Sequence, residues 1–157
     1  MSNTNLTFEK SLPRKRMSSG ALILDETESI LLVKPNYREG WLIPGGIVES
    51  DESPREACSR ELREELGFKL TVSELLCVDY NPSTTDSTES VHFVFFGGLI
   101  SAEKINEIQL CEKELSESNF FGLENSLSLV NDRLSRRLRK AFQAYKNSTV
   151  LYLENGT

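Results

Sequence analysis

Four glutamates and one arginine in this sequence have a spacing that could support chemistry: Glu52, Arg60, Glu61, Glu64 and Glu65. At about 100° per residue, the last three glutamates fall within one sector of a helix, beside its apolar stripe. Like charges at i,i+4 destabilise a helix unless a cation lies among them. Hard divalent cations prefer carboxylate oxygens, and Mg²⁺ combines a few of them with waters and substrate phosphates. The pattern therefore predicts a divalent-cation site; the alternative is the solvated face that a glutamate run usually forms.

The helix that would carry these carboxylates has clear start and stop signals. Ser53, followed three residues later by Glu56, forms a capping-box pattern, and Pro54 suits the first helical position. Gly67 can adopt the left-handed conformation that a residue just beyond a helix needs. We therefore predict a helix from about Pro54 to Leu66.

The stretch from Gly46 to Phe68 has the spacing G-x5-E-x7-R-E-U-x-E-E-x-G-U, in which U is a bulky apolar residue. This spacing resembles the signature of the Nudix hydrolases. The one departure is Phe68, where the family mostly has an aliphatic residue. That difference alters packing below the end of the helix and affects no ligand position.

The resemblance implies a pyrophosphohydrolase, an enzyme that hydrolyses a nucleoside diphosphate linked to another group. It implies four metal ligands, namely the carbonyl oxygen of Gly45 and the carboxylates of Glu61, Glu64 and Glu65. The expected ion is Mg²⁺, for which Mn²⁺ can substitute. Arg60 should orient the carboxylates, with Glu52 as its acidic partner, because hydrogen bonds from outside the ligand set hold metal geometry.

The general base stays open between Glu61 and a glutamate of the polar segment before Phe120. We predict that this segment is a loop; it holds Glu112, Glu114 and Glu117. Glu114 stands six residues before Phe120, about where the family can place an additional catalytic or metal-binding glutamate. Glu114 is therefore the first candidate of the three.

Substrate contacts are expected from the loop of residues 34–40 and from the glycine pair that follows it. Tyr37 and Arg38 lie in that loop, where binding residues concentrate. Gly45 and Gly46 allow the backbone to approach a ligand closely.

The substrate itself stays open between a nucleotide sugar such as ADP-ribose and a nucleoside triphosphate such as an oxidised dNTP. Pro82 lies near the position where ADP-ribose hydrolases of the family carry a proline, although a proline in a Pro-Ser-Thr loop is also ordinary turn chemistry. Two alternatives belong to other classes. One is a Nudix-like sensor that binds a nucleotide without cleaving it, and the other is an isoprenoid diphosphate isomerase.

Charge and cysteine content limit the partners. With 18 basic and 24 acidic residues, the net charge of −6 gives no general attraction for nucleic acid or anionic lipid. We therefore expect a small-molecule nucleotide partner, with no nucleic acid and no membrane, while a homodimer stays open. The three cysteines form no C-x-x-C pair, and the N-terminus lacks an apolar secretion core, which together indicate the cytoplasm.

Apolar strand runs alternating with two amphipathic helices predict an α/β fold, specifically a three-layer α/β/α sandwich over a mixed sheet. The resemblance implies the same fold. We predict one domain over residues 16–147, a mobile polar arm over residues 1–15, and a tail over residues 148–157 that includes a candidate edge strand. The single histidine, His92, lies within an apolar run and is expected to be a partly buried, hydrogen-bonded side chain.

Overall fold

A mixed β-sheet forms the middle layer of the computed structural model, which describes residues 2–67 and 69–157. Within these residues the sheet has seven strands: β1 (Arg16–Asp25), β2 (Ile30–Pro35), β3 (Gly45–Ile47), β4 (Leu75–Asn81), β5 (Ser90–Ile100), β6 (Leu115–Phe121) and β7 (Leu151–Glu154). The strand order is β6-β2-β1-β5-β4-β7, and β3 pairs with β1 outside this path. The β1–β5 and β4–β7 pairs are parallel, and the other pairs are antiparallel.

The same part of the chain forms five helices: α1 (Ser2–Ser11), α2 (Pro54–Leu66), α3 (Ala102–Ile105), α4 (Leu123–Leu129) and α5 (Asp132–Asn147). Alternate residues of a strand point to opposite faces of the sheet. Ile23 of β1 shares a buried cluster with Leu62 of α2, whereas Leu22 shares a second cluster with Leu138 of α5. The predicted three-layer α/β/α sandwich is therefore confirmed. None of the helices in residues 2–67 and 69–157 is both long and apolar enough to cross a membrane.

Helix α2 has the predicted bounds, Pro54–Leu66. The Ser53 side chain accepts a hydrogen bond from the backbone N–H of Glu56, and the Glu56 carboxylate accepts one from the backbone N–H of Ser53. Gly67 ends the helix with a φ of 77°. Both ends of the helix are thus fixed by neighbouring residues. Phe68, the departure from the family pattern, lies outside the described residues.

Both ends of the chain differ from a simple arm and tail. Residues 1–15, where a mobile polar arm is expected, contain helix α1, on which Leu6 and Phe8 are exposed. In the tail over residues 148–157, β7 pairs with β4 in parallel, so the edge strand expected there is confirmed. The domain limits at residues 16 and 147 stay a prediction.

Candidate active site

Arg60 lies at the centre of the acidic residues that the sequence singled out. Its Nε donates to Oε1 of Glu52 at 2.8 Å, and its Nη2 donates to Oε2 of the same carboxylate at 3.1 Å. Its Nη1 donates to Glu61 at 2.8 Å and to Glu64 at 3.3 Å, while Nη2 also reaches the carbonyl of Ile47 at 3.0 Å. The carboxylates of Glu52 and Glu61 raise the pKa of Arg60, and the guanidinium lowers the pKa of Glu52. One arginine therefore connects three acidic side chains and β3.

Glu65 is the most buried carboxylate of this group, with 7% of its surface exposed. Its Oε2 accepts a hydrogen bond from the backbone N–H of Gly45 at 2.8 Å, which ties α2 to β3. Burial is the main cause that raises the pKa of Glu65 to about 8; the negative charges of Glu61, Glu114 and Glu64 contribute to the rise, and the hydrogen bond from Gly45 opposes it. Ionisation of Glu65 is therefore disfavoured in this arrangement.

Glu61 lies directly against the second glycine of the Gly45-Gly46 pair. A β-carbon on Gly46 would overlap the Glu61 carboxylate, so only glycine fits here without movement. Gly45 has a φ of 144° and packs against β1, where a β-carbon would lie 2.5 Å from the Cα of Gly20. Burial raises the pKa of Glu61, although the neighbouring Arg60 opposes that shift.

The donor chemistry of this site suits a hard divalent cation, because several carboxylates lie within electrostatic reach of one another. The family that the spacing from Gly46 to Phe68 resembles generally depends on a divalent metal. In the arrangement seen here, the Arg60 guanidinium bonds both Glu61 and Glu64. Across residues 2–67 and 69–157, no three histidine, cysteine or acidic side chains converge closely enough to hold a metal ion. The assignment of Gly45, Glu61, Glu64 and Glu65 as metal ligands stays a prediction.

The three glutamates before Phe120 have different surroundings. Glu114 precedes β6, and its charge raises the pKa of both Glu61 and Glu65, so it faces the acidic cluster. Glu117 lies within β6 and bonds Lys34 at 2.7 Å, which corrects its expected place in a loop. Glu112 is exposed, and its backbone carbonyl accepts a hydrogen bond from Asn36. Of the three, Glu114 is the best placed to act on the cluster.

A cavity of about 380 Å³ opens over β1, β4 and β5, next to β3. The three residues predicted to contact substrate, Tyr37, Arg38 and Gly46, all line it. Tyr37 is 73% exposed. Desolvation is the largest cause that raises its pKa, and the negative charges of Glu65, Glu114 and Glu61 also raise it. Tyr37 therefore stands at the rim of the cavity, beside the carboxylates.

His92 lies inside this cavity on β5. Ser18 Oγ contacts its Nδ1 at 2.5 Å, and Ser90 Oγ contacts its Nε2 at 2.9 Å. Burial lowers the pKa of His92 to about 4, and nearby Arg137 contributes in the same direction. The imidazole is therefore neutral at neutral pH, and the expectation of a partly buried, hydrogen-bonded histidine is confirmed.

A buried ion pair that the sequence did not predict borders the same cavity. Arg137 of α5 donates from Nε to Oδ2 of Asp79 at 2.7 Å, and Asp79 is 0% exposed. The other carboxylate oxygen accepts a hydrogen bond from the backbone N–H of Gly156 at 2.9 Å. Arg137 is one of several basic residues on its helix, and such residues are usually solvated. However, it directly precedes Leu138 and follows Leu134 by three residues, and both leucines belong to the apolar stripe of the helix. That spacing is the signal by which its burial could have been found.

Comparisons with known proteins bear on the family and the fold of this chain. A family model described as NUDIX domain matches residues 14–144. A protein of Bacillus subtilis assigned as an 8-oxo-dGTP diphosphatase is 34% identical over 82 residues, which cover 52% of this chain and 52% of that protein. The ADP-ribose pyrophosphatase of Methanocaldococcus jannaschii is 30% identical over 129 residues, covering 80% of this chain and 72% of the relative. The crystal structure of the MutT protein from Methanosarcina mazei superposes with a TM-score of 0.69 at 25% identity, covering 88% of this chain and 99% of that one.

Proposed function

This chain belongs to the Nudix family, as the spacing from Gly46 to Phe68 predicted, and from that premise we propose that it is a metal-dependent pyrophosphohydrolase. Its substrate is a nucleoside diphosphate linked to another group, either a nucleotide sugar such as ADP-ribose or a nucleoside triphosphate such as an oxidised dNTP. Relatives named for both kinds of substrate support this class.

The observation that carries the proposal is the contact between the acidic cluster and the wall of the cavity. Gly45 bonds Glu65 through its backbone N–H, and Gly46 lies against Glu61. Both glycines also line the cavity. A ligand in the cavity would therefore have its phosphates beside the carboxylates of α2.

We assign the metal to Glu61, Glu64, Glu65 and the carbonyl of Gly45, with Mg²⁺ as the ion. When bound, such an ion neutralises phosphate charge and lowers the pKa of a coordinated water. Before the ion binds, Arg60 holds the carboxylates in place through its hydrogen bonds to Glu61 and Glu64. The carboxylate of Glu114, or that of Glu61, takes the proton from the attacking water.

The cavity supplies charge for the rest of the substrate. Four arginines, Arg16, Arg38, Arg133 and Arg137, contribute to its lining, and no acidic side chain of the described residues does. This composition contrasts with the net charge of −6 for the whole chain. A locally cationic cavity offsets the repulsion between an acidic protein and a polyphosphate.

A location in the cytoplasm fits the cysteine content of the chain. A homodimer is compatible with the proposed site.

A substrate screen tests the proposed function. The purified protein would be incubated with nucleoside triphosphates, 8-oxo-dGTP and ADP-ribose in millimolar Mg²⁺, and released phosphate would be measured with and without added alkaline phosphatase or inorganic pyrophosphatase. We expect metal-dependent cleavage of at least one compound, abolished by EDTA. A folded protein that cleaves none of them with Mg²⁺ or Mn²⁺ would contradict a hydrolase and favour the nucleotide-binding alternative.

Replacement of Glu114 by glutamine is expected to lower kcat about ten-fold or more, because a positioned general base contributes at least that much. KM should change little, since Glu114 is exposed and lies outside the cavity lining. Steady-state kinetics of Glu114→Gln would be measured beside Glu112→Gln and Glu117→Gln, two matched changes in the same segment. Full kcat in all three variants would place the base on α2, at Glu61.

A further inference from the structure

Three arginines line the part of the cavity around His92: Arg16, Arg133 and Arg137. Burial is the main cause that lowers the pKa of His92, and the charges of all three arginines lower it as well. The three guanidinium groups therefore lie within electrostatic reach of one ring. We call these three residues the arginine cluster.

Most of the positive charge of the arginine cluster is uncompensated. Arg137 bonds Asp79 at 2.7 Å, so its charge is cancelled. The ion pairs of residues 2–67 and 69–157 include neither Arg16 nor Arg133. Asp132, beside Arg133 in sequence, is exposed and lies outside the cavity lining. Three guanidinium groups and one carboxylate thus leave two positive charges at this end of the cavity.

Both uncompensated arginines are accessible to a ligand. Arg16 is exposed, and its guanidinium donates to Oγ1 of Thr88 at 2.8 Å and to Oγ of Ser87 at 2.9 Å. Ser87 also lines the cavity, so these neutral partners hold the guanidinium at the cavity wall without cancelling its charge. Arg133 is half-buried and precedes Arg137 by four residues, which places both on the same face of α5.

The arginine cluster lies too far from the acidic residues of α2 for one diphosphate to reach both. Ser18 of β1 pairs with Ile47 of β3 on one side and with His92 of β5 on the other. Neighbouring strands lie about 4.8 Å apart, so β3 and β5 are separated by about 10 Å here. The scissile diphosphate belongs beside β3, because the carboxylates of α2 contact the glycines of that strand. A diphosphate is shorter than this separation, so the arginine cluster faces a different part of the substrate.

We propose that the arginine cluster binds a second phosphate of the substrate, one that is carried on the ribose and is separated by that sugar from the scissile diphosphate. The inference rests on the proposed function in that the ligand is a nucleotide. Phosphate oxygens accept charge-assisted hydrogen bonds from arginine, whose planar guanidinium matches them. Nucleobases are uncharged at neutral pH, so a ribose phosphate supplies the compensating charge. The substrate class is therefore a nucleoside diphosphate derivative with a 2′- or 3′-phosphate.

The first test is hydrolysis of substrate pairs whose members differ in one ribose phosphate. The pairs are ADP-ribose and its 2′-phosphate, NADH and NADPH, and dephospho-coenzyme A and coenzyme A. We expect kcat/KM to be about ten-fold higher, or more, for the phosphorylated member of at least one pair, because a hydrogen bond to a charged group contributes that much. Equal kcat/KM within every pair that is hydrolysed would overturn the proposal.

The second test is binding in EDTA, which involves no metal and no turnover. Isothermal titration would compare adenosine 2′,5′-bisphosphate and adenosine 3′,5′-bisphosphate with ADP, which is their isomer and has the same number of phosphates. We expect at least one bisphosphate to bind about ten-fold more tightly than ADP. ATP has a longer phosphate chain and tests that source of charge. Binding of ADP or ATP as tight as that of both bisphosphates would overturn the proposal.

Variants then attribute the preference to the arginine cluster. In Arg133→Met the preference for a bisphosphate over ADP should fall to within about two-fold, whereas Arg133→Lys, which keeps the charge, should retain most of it. Arg139→Met makes the same chemical change at an exposed position of α5 and should behave as wild type. An unchanged preference in folded Arg133→Met would overturn the proposal. An equal loss in Arg139→Met would also overturn it, because the preference would then depend on overall charge.

These measurements separate the inference from the proposed function. A preference for a bisphosphate that depends on Arg133, in a protein that hydrolyses no nucleotide, would support the second phosphate site and reject the hydrolase. Hydrolysis with equal kcat/KM within each pair would support the hydrolase and reject the second phosphate site.

Discussion

Replacing Glu65 by glutamine is expected to lower kcat by about two orders of magnitude or more, and Glu64→Gln should have a similar effect. Each change removes a charged oxygen from the proposed metal site, and electrostatic groups of this kind typically contribute a hundred-fold or more. The fold should survive. The glutamine carbonyl at position 65 can still accept the hydrogen bond from Gly45, and Glu64 is half exposed. The measurement is kcat at saturating Mg²⁺ on the substrate found by the screen.

Stability distinguishes this loss from unfolding. Burial of the Glu65 carboxylate raises its pKa, so a neutral amide there should leave the Tm unchanged or higher. Glu103→Gln makes the same change at an exposed position of α3 and should leave kcat unaltered. Near-wild-type turnover in Glu64→Gln and Glu65→Gln, with intact circular dichroism, would mean that the carboxylates of α2 are structural.

The substitution Asp79→Ala is expected to have the second large effect, a loss of stability. Removing Asp79 leaves Arg137 buried without its partner and frees the backbone N–H of Gly156. Breaking a buried ion pair from one side typically costs about 3–5 kcal/mol. Urea denaturation followed by circular dichroism would measure this change in the free energy of unfolding.

An exposed ion pair between α4 and α5 provides a control for that measurement. Arg139 and Glu124 form an ion pair whose side chains are 55% and 74% exposed. Pairs of this kind contribute about 0–1 kcal/mol, so Glu124→Ala should lower the free energy of unfolding by no more than that. If Asp79→Ala proves no more destabilising than Glu124→Ala, the buried pair does not stabilise the C-terminal segment. The double variant Asp79→Leu, Arg137→Met should recover part of the loss, because two apolar groups leave no charge unpaired.

Features set by neighbouring residues could be predicted from the sequence. The bounds of α2 follow from Ser53, Pro54 and Gly67, each of which acts within one turn of the helix. The spacing of Arg60 to Glu65 likewise brings those side chains together, because residues three and four apart lie side by side on a helix. The family, the three-layer fold and the acidic face of α2 all depend on such local signals.

Features set by distant pairing could not be predicted in this way. The polar segment around Glu117 predicts a loop, yet pairing with β2 makes Glu117 part of an edge strand, opposite Lys34. Asp79 and Arg137 are 58 residues apart in sequence, and nothing near either residue specifies the other. Asn81 lines the cavity only because β4 pairs with β5 at this end of the sheet.

The hydrogen bonds of Arg60 bear on how a cation would enter the site. The guanidinium acts as a partial internal counter-ion, since a single nitrogen bonds both Glu61 and Glu64. Binding of a metal cation would then replace the positive charge of Arg60 beside Glu61 and Glu64 with that of the ion. Two of the assigned ligands, Glu61 and Glu64, are already held in place by Arg60 in the folded protein, and ordering each flexible side chain would otherwise cost about 0.5–1.5 kcal/mol on binding. The two hydrogen bonds to Glu52 come from Nε and Nη2 of Arg60, whereas those to Glu61 and Glu64 come from Nη1. Arg60 can therefore release Glu61 and Glu64 while it stays bound to Glu52 beside them.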